Sequence, residues 1–206
     1  GLVLSTTAFG RAADLGIAGG LSRFVARSLG EGDAVKAVSY MRTGVSFMAV
    51  AMGVVVLLLW WPLWWSLDFA LDGSELAAGR SVLPWAILSI WLLMVKTALD
   101  SCLLGVHRAD LRSIAGMTGM GFQLVASLAL MGSFGLHGLA WAQAGQFALA
   151  IGLEVVFLLT VARVQVVRGG GRWFSRKAFT EMLGFGVTLQ LGSLANLLFD
   201  PLTKSV

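Results

Sequence analysis

Charge is scarce in this chain: of 206 residues, 13% are Asp, Glu, Lys or Arg, where soluble domains carry about 25%. So few charges exclude a disordered tail, which needs them to stay solvated. The pI near 9.8 reflects a net charge of only +4, and its placement, described below, does not suit nucleic acid. A single cysteine, Cys102, excludes an internal disulfide and any multi-cysteine metal site. The only histidines, His107 and His137, lack the His, Cys or carboxylate company that a metal requires, and they fall on opposite membrane faces in the topology derived below. No Gly-x-Ser-x-Gly turn presents a nucleophile. Arg168-Gly-Gly-Gly-Arg172 lacks the Gly-Lys-Ser/Thr of a phosphate loop and reads as a flexible basic linker. Neither an enzyme nor a resident cofactor or metal is expected.

What is present is apolar. Hydrophobic residues make up 57% of the chain, and the mean hydropathy is +0.83. Residues 43–67 carry no charge over 25 positions, where about 20 suffice to cross the hydrocarbon core. From Ser113 to Ala162 only Glu154 is charged; these 50 residues suit two helices joined near 132–138. Residues 182–199 are uncharged, 81–106 are apolar apart from Lys96 and Asp100, and 1–29 apart from Arg11, Asp14, Arg23 and Arg27. Alternation with a period of two is missing, which argues against a β-barrel. The fold class expected is all-α: a polytopic transmembrane bundle of about six spans near 1–29, 34–66, 81–106, 112–132, 137–164 and 178–203.

Local chemistry supports these ends. Gly30 can stop the first helix and Asp33 can cap the second. Asp72-Gly-Ser-Glu75 resembles a capping box before the third, with Pro84 in its opening turns; Asp110 can cap the fourth and Ser175 the sixth. Glycines at 16, 20, 116, 119 and 121 are expected to thin helix–helix contacts. Tryptophans 60, 61, 64 and 65 read as an interfacial belt facing membrane lipids.

Lysine and arginine set the orientation. Segments 23–42, 107–112 and 163–177 hold 4, 2 and 5 of them, whereas 68–80, 133–138 and the end after Asp200 hold 1, 0 and 1. The basic segments are therefore predicted to be cytoplasmic. Residue 1 then lies on the outer face and is Gly, so the reading expects a piece lacking a preceding span.

Six charges fall within or near the hydrocarbon: Arg11, Asp14, Lys96, Asp100, Glu154 and Asp200. Each costs roughly 2.5–3.5 kcal/mol at a helix centre, so they should pair or face a polar interior. Arg11 and Asp14 are three apart and Lys96 and Asp100 four apart, so each couple can pair on one helical face. Lys96 can alternatively snorkel to the interface. Glu154 has no local partner, which marks it as an ion-coupling candidate alongside Asp14. Pro201 beside Asp200 should bend or break the last helix.

Asp14-Leu-Gly-Ile-Ala-Gly-Gly-Leu-Ser-Arg-Phe-Val-Ala-Arg27, followed by Leu29-Gly-Glu-Gly-Asp33, resembles the second and third helices of polysaccharide-repeat flippases. These are the lipid-linked oligosaccharide exporters of the multidrug/oligosaccharidyl-lipid/polysaccharide (MOP) transporter superfamily. Leu103-Leu-Gly-Val-His-Arg108, Leu183-Gly-Phe-Gly186 and Asn196-Leu-Leu-Phe-Asp-Pro-Leu-Thr-Lys204 also resemble the family. The resemblance implies an amino-terminal lobe over 1–164 lacking its first span, a basic cytoplasmic linker at 165–177, and the first helix of a second lobe at 178–206. Most of that second lobe would lie outside this sequence. It further implies a bacterial inner-membrane protein moving an undecaprenyl-diphosphate-linked oligosaccharide by alternating access. Arg11 and then Lys96 would meet the diphosphate, Asp100 would share the cavity, and Asp14 or Glu154 would bind a coupling proton or sodium ion.

Other functions stay open. A multidrug or cation antiporter of the same superfamily would suit a cavity dominated by Asp14, Asp100 and Glu154. A membrane scaffold of a glycan-synthesis complex would need none of the buried charges. A membrane glycosyltransferase or polymerase would need an acidic outer cluster beyond Asp68, Asp72 and Glu75, which read as solvated loop charges.

Overall fold

A computed structural model describes residues 17–70, 73–160, 174–186 and 188. Arg11, Asp14, Asp200 and Pro201 lie outside the described residues, as do residues 165–173 of the 165–177 linker. The described residues are helical, without a strand: α1 (Ile17–Gly30), α2 (Ala34–Ala70), α3 (Gly73–Gly105), α4 (Ala109–Phe134), α5 (Leu136–Thr160) and a further helix, α6, at 176–186. Ala34–Phe69, Glu75–Gly105, Ala109–Phe134 and Leu136–Thr160 are long and apolar enough to cross a membrane. The all-α bundle is as expected; of the first and last predicted spans only 17–30, 176–186 and 188 are described.

α3 is the hub, packed against α1, α2 and α5, while α4 leans mainly on α5. The core runs through Leu21 and Val25 of α1, Met41 and Met48 of α2, and Ala98, Cys102 and Leu103 of α3. α1 reaches it because Gly44 and Gly105 lack side chains: a Cβ on Gly44 would lie 2.8 Å from Leu21, and one on Gly105 2.7 Å from Val25. Leu57, Leu58 and Trp61 on α2, and Met117, Leu124, Val125 and Leu128 on α4, are exposed. So much uncovered apolar surface would be untenable in water and is ordinary in lipid. The chain is a multi-pass membrane protein.

Several predicted ends hold. α1 stops at Gly30, and Asp33 Oδ1 accepts the Lys36 amide at 2.9 Å as a cap. Within that turn Arg27 Nε donates to Glu31 at 2.7 Å and holds its carboxyl below the usual carboxylate range. Ser175 Oγ accepts the Ala178 amide at 3.4 Å, opening α6. Other ends differ for physical reasons. Arg80 bridges to Asp68 between the facing ends of α2 and α3, and α2 runs to Ala70 rather than 66 while α3 starts at Gly73 rather than 81. Pro84 therefore sits well inside α3, not in its opening turns, and Pro62 lies inside α2. Asp110 does not cap α4: Arg108 grips its carboxylate at 3.0 and 2.8 Å, and the two-pronged guanidinium outcompetes a backbone amide. The expected outer loop at 132–138 shrinks to Gly135, whose φ of 53° glycine tolerates and whose amide donates to Met131 O at 3.0 Å. Of the glycines predicted to thin contacts, Gly119 does so against Gln146 and Gly20 against Phe185, whereas Gly116 and Gly121 face open space.

α6 docks on the amino-terminal helices through mixed contacts. Tyr40 Oη donates to the Glu181 carboxylate, the Ser175 amide donates to Thr43 Oγ1 at 3.0 Å, and Phe47 meets Phe179 with ring centroids 4.7 Å apart. Arg23 lies 4.4 Å from the centre of the Phe185 ring. Tyr40→Phe keeps the ring and strands a half-buried carboxylate, so it is expected to lower stability by about 1–3 kcal/mol. Thermal unfolding of the full chain in detergent checks this; an unchanged Tm would show that the contact contributes nothing.

Candidate functional site

The site begins with the composition of α5. Gly138, Ala142, Gln146, Ala150, Glu154 and Leu158 recur every fourth residue, and all are buried. Small side chains on this stripe let α3 and α4 approach closely. On α4 the matching stripe is Leu111, Ala115 and Gly119, and the absent Gly119 side chain brings the Gln146 and Ala150 region against α4. Glu154 rides the α5 stripe inward and is 0% exposed.

Across from it, α3 presents Lys96 and Asp100 from successive turns. Lys96 Nζ donates to Asp100 Oδ2 at 2.7 Å and stands 3.2 Å from Glu154 Oε1, an ion-pair contact without hydrogen-bond geometry. Both α3 side chains are 13% exposed. Arg112, in the first turn of α4, reaches back to Asp100, with Nε 3.3 Å from Oδ1; its side chain is 46% exposed. The four groups form one chain of alternating sign, from buried Glu154 through Lys96 and Asp100 to half-exposed Arg112. Neither Glu154 oxygen has a hydrogen-bond partner among the described residues. The buried Cys102 thiol on α3 completes the neighbourhood.

The Lys96–Asp100 pair on one face is as the spacing predicts. Snorkelling of Lys96 is not observed: a lone ammonium can stretch toward water, but two carboxylates hold this one inward. Two features escaped the sequence reading. Glu154 lacks a partner on its own helix and finds one 58 positions away on α3. Arg112 reads in the sequence as one of the loop charges of 107–112, yet it completes the cluster. The four-residue stripe of small side chains would have signalled that Glu154 faces inward; nothing local identifies Lys96 as its partner. Among the described residues no group of three His, Cys, Asp or Glu is placed to hold a metal.

No curated protein matches the chain. A solved structure, the inward-facing conformation of a multidrug resistance MATE family transporter of the MOP superfamily, superposes with a TM-score of 0.70 at 18% identity. The match covers 86% of this chain and 41% of that one, so this chain spans less than half the length of that transporter. At such identity the likeness establishes the fold, which is that of part of a transporter of this kind. That transporter belongs to the superfamily that residues 14–33 resemble, but to its multidrug rather than its polysaccharide branch. The MatE family model covers residues 1–131, well over half the sequence, and the chain belongs to the MatE family.

Proposed function

We propose that this chain forms the amino-terminal lobe of a two-lobe, ion-coupled antiporter, seated in a bacterial cytoplasmic membrane with its basic segments in the cytoplasm. The Lys96–Asp100–Glu154 cluster carries the coupling proton, and the exported substrate is a lipophilic cation. MatE membership and the solved multidrug resistance transporter of like fold support this reading. The observation that carries it is electrostatic: two carboxylates share one ammonium in an interior where Glu154 is 0% exposed. When Arg112 leaves Asp100, the trio holds one negative charge more than positive, and a low-dielectric site does not keep it uncompensated, because the desolvation penalty is several kcal/mol. A proton on Glu154 supplies the missing positive charge; a cationic substrate bound beside the trio would supply it equally well. Proton and substrate are then alternatives, which is the requirement for antiport. A sodium ion fits less well, since it needs several oxygen ligands and Lys96 occupies the space between the two carboxylates.

The test is ethidium efflux by the full chain in everted vesicles energised by a proton gradient. Glu154→Gln is expected to reduce gradient-driven efflux to background while the protein still inserts. Wild-type efflux from the variant, with the same response to collapse of the gradient, would refute the assignment.

The resemblance of residues 14–27 supports a second reading, a flippase for an undecaprenyl-diphosphate-linked oligosaccharide. Lys96 is poorly suited to the diphosphate because Asp100 and Glu154 already hold it, which leaves that role to Arg11. Deletion separates the two readings: accumulated lipid-linked sugar favours the flippase, and ethidium sensitivity favours the antiporter.

A further inference from the structure

The charge chain does not stop at the buried trio. Exposure rises along it, from 0% at Glu154 to 13% at Lys96 and Asp100 and 46% at Arg112. Arg112 lies at the start of α4, beside the basic turn that carries Arg108. Its guanidinium contacts the one Asp100 oxygen that has no hydrogen bond, while Lys96 holds the other.

Counting charge shows what this contact can do. With Arg112 docked, Lys96 and Arg112 balance Asp100 and an ionised Glu154, and the site is neutral with Glu154 deprotonated. With Arg112 swung into water, Lys96 balances Asp100 alone, and the site is neutral only when Glu154 holds a proton. Docking of Arg112 and protonation of Glu154 therefore oppose each other, and by linkage each weakens the other by the same factor. A half-exposed arginine can make that swing, since water solvates its charge when it leaves. Among the described residues, the charged and titratable groups facing Glu154 from the helices packed on it are Lys96, Asp100 and Cys102 on α3 and, through Asp100, Arg112 on α4.

We propose that Arg112 is a positioning residue that gates proton exchange: docked on Asp100 it discharges the Glu154 proton toward the basic face, and released from Asp100 it lets Glu154 reload. This rests on the reading of Glu154 as the proton carrier and names the side chain that regulates it.

The test follows the carboxyl stretching band of Glu154 against pH by infrared difference spectroscopy on the full chain in liposomes. Glu154→Gln identifies the band by removing it. In Arg112→Gln the midpoint of the band is expected to move up by roughly one pH unit, the effect of one charge a few ångströms beyond the first neighbour at intermediate dielectric. In Arg112→Lys, which keeps the charge, the midpoint is expected to stay near the wild-type value. Arg112→Cys labelled with a trimethylammonium or a neutral thiosulfonate repeats the comparison on one folded protein, with native Cys102 shielded by burial. A midpoint unmoved in Arg112→Gln, one moved equally in Arg112→Lys, or a Glu154 band that never titrates overturns the proposal. Proton-coupled efflux with a fixed midpoint would remove the gate and leave the antiporter. A midpoint that moves as expected without proton-coupled efflux would keep the linkage and remove the antiporter.

Discussion

Lys96→Met is expected to be the most damaging single substitution in the described bundle, lowering stability by about 3–5 kcal/mol at neutral pH or above. Methionine nearly matches the volume of lysine, so packing changes little. What changes is that Asp100 and Glu154 lose their shared cation, with Arg112 left on one Asp100 oxygen only. The loss should shrink as pH falls, because protonated carboxyls no longer need a counter-charge. The double variant Lys96→Met/Glu154→Gln should recover much of the stability, since it removes the orphaned charge instead of exposing it. Thermal unfolding of wild type, the two single variants and the double variant measures the coupling directly. Additive effects would mean that the 3.2 Å contact between Lys96 and Glu154 contributes nothing.

A second large effect is expected at the hairpin of α4 and α5. A Cβ on Gly138 would lie 2.7 Å from the carbonyl oxygen of Leu130 and 2.8 Å from its carbon. Both are backbone atoms of α4, so no flexible side chain can yield, and the helices must part. Gly138→Ala is expected to cost about 3 kcal/mol, the upper part of the usual overpacking range. The internal control is Gly152→Ala on the same helix: nothing lies within 4 Å of its added carbon, so better helix propensity should stabilise by about 0.5–1 kcal/mol. Opposite signs in thermal unfolding would confirm the close approach; equal effects would contradict it.

Much of the fold is written in the chain because lipid simplifies the rules. Apolar runs without charge must be helices, since no other open structure satisfies its backbone in hydrocarbon. The spans read at 34–66, 112–132 and 137–164 overlie α2, α4 and α5 to within a few residues. Ends are legible where a local group decides them, as with Asp33 and Ser175. They shift where a partner lies farther along, as where Arg80 bridges to Asp68 and both α2 and α3 run longer than read. The site divides in the same way. Lys96–Asp100 is a helical spacing and can be read from sequence, whereas Lys96–Glu154 and Asp100–Arg112 join three helices and depend on how these pack. Arg11 and Asp14, the other couple that sequence singles out, lie outside the described residues.

The stability experiments and the transport experiments bear on different links of the account. A cluster can hold helices together without moving an ion, so a large Lys96 effect alone leaves function undecided. The most direct measurement is proton release on substrate binding. Ethidium is added to the purified full chain in weakly buffered detergent solution, and the pH change is recorded. Wild type is expected to release protons in proportion to bound ethidium, and Glu154→Gln to bind ethidium while releasing none. Equal release from both would place the exchanging proton elsewhere and contradict the central claim that Glu154 carries it.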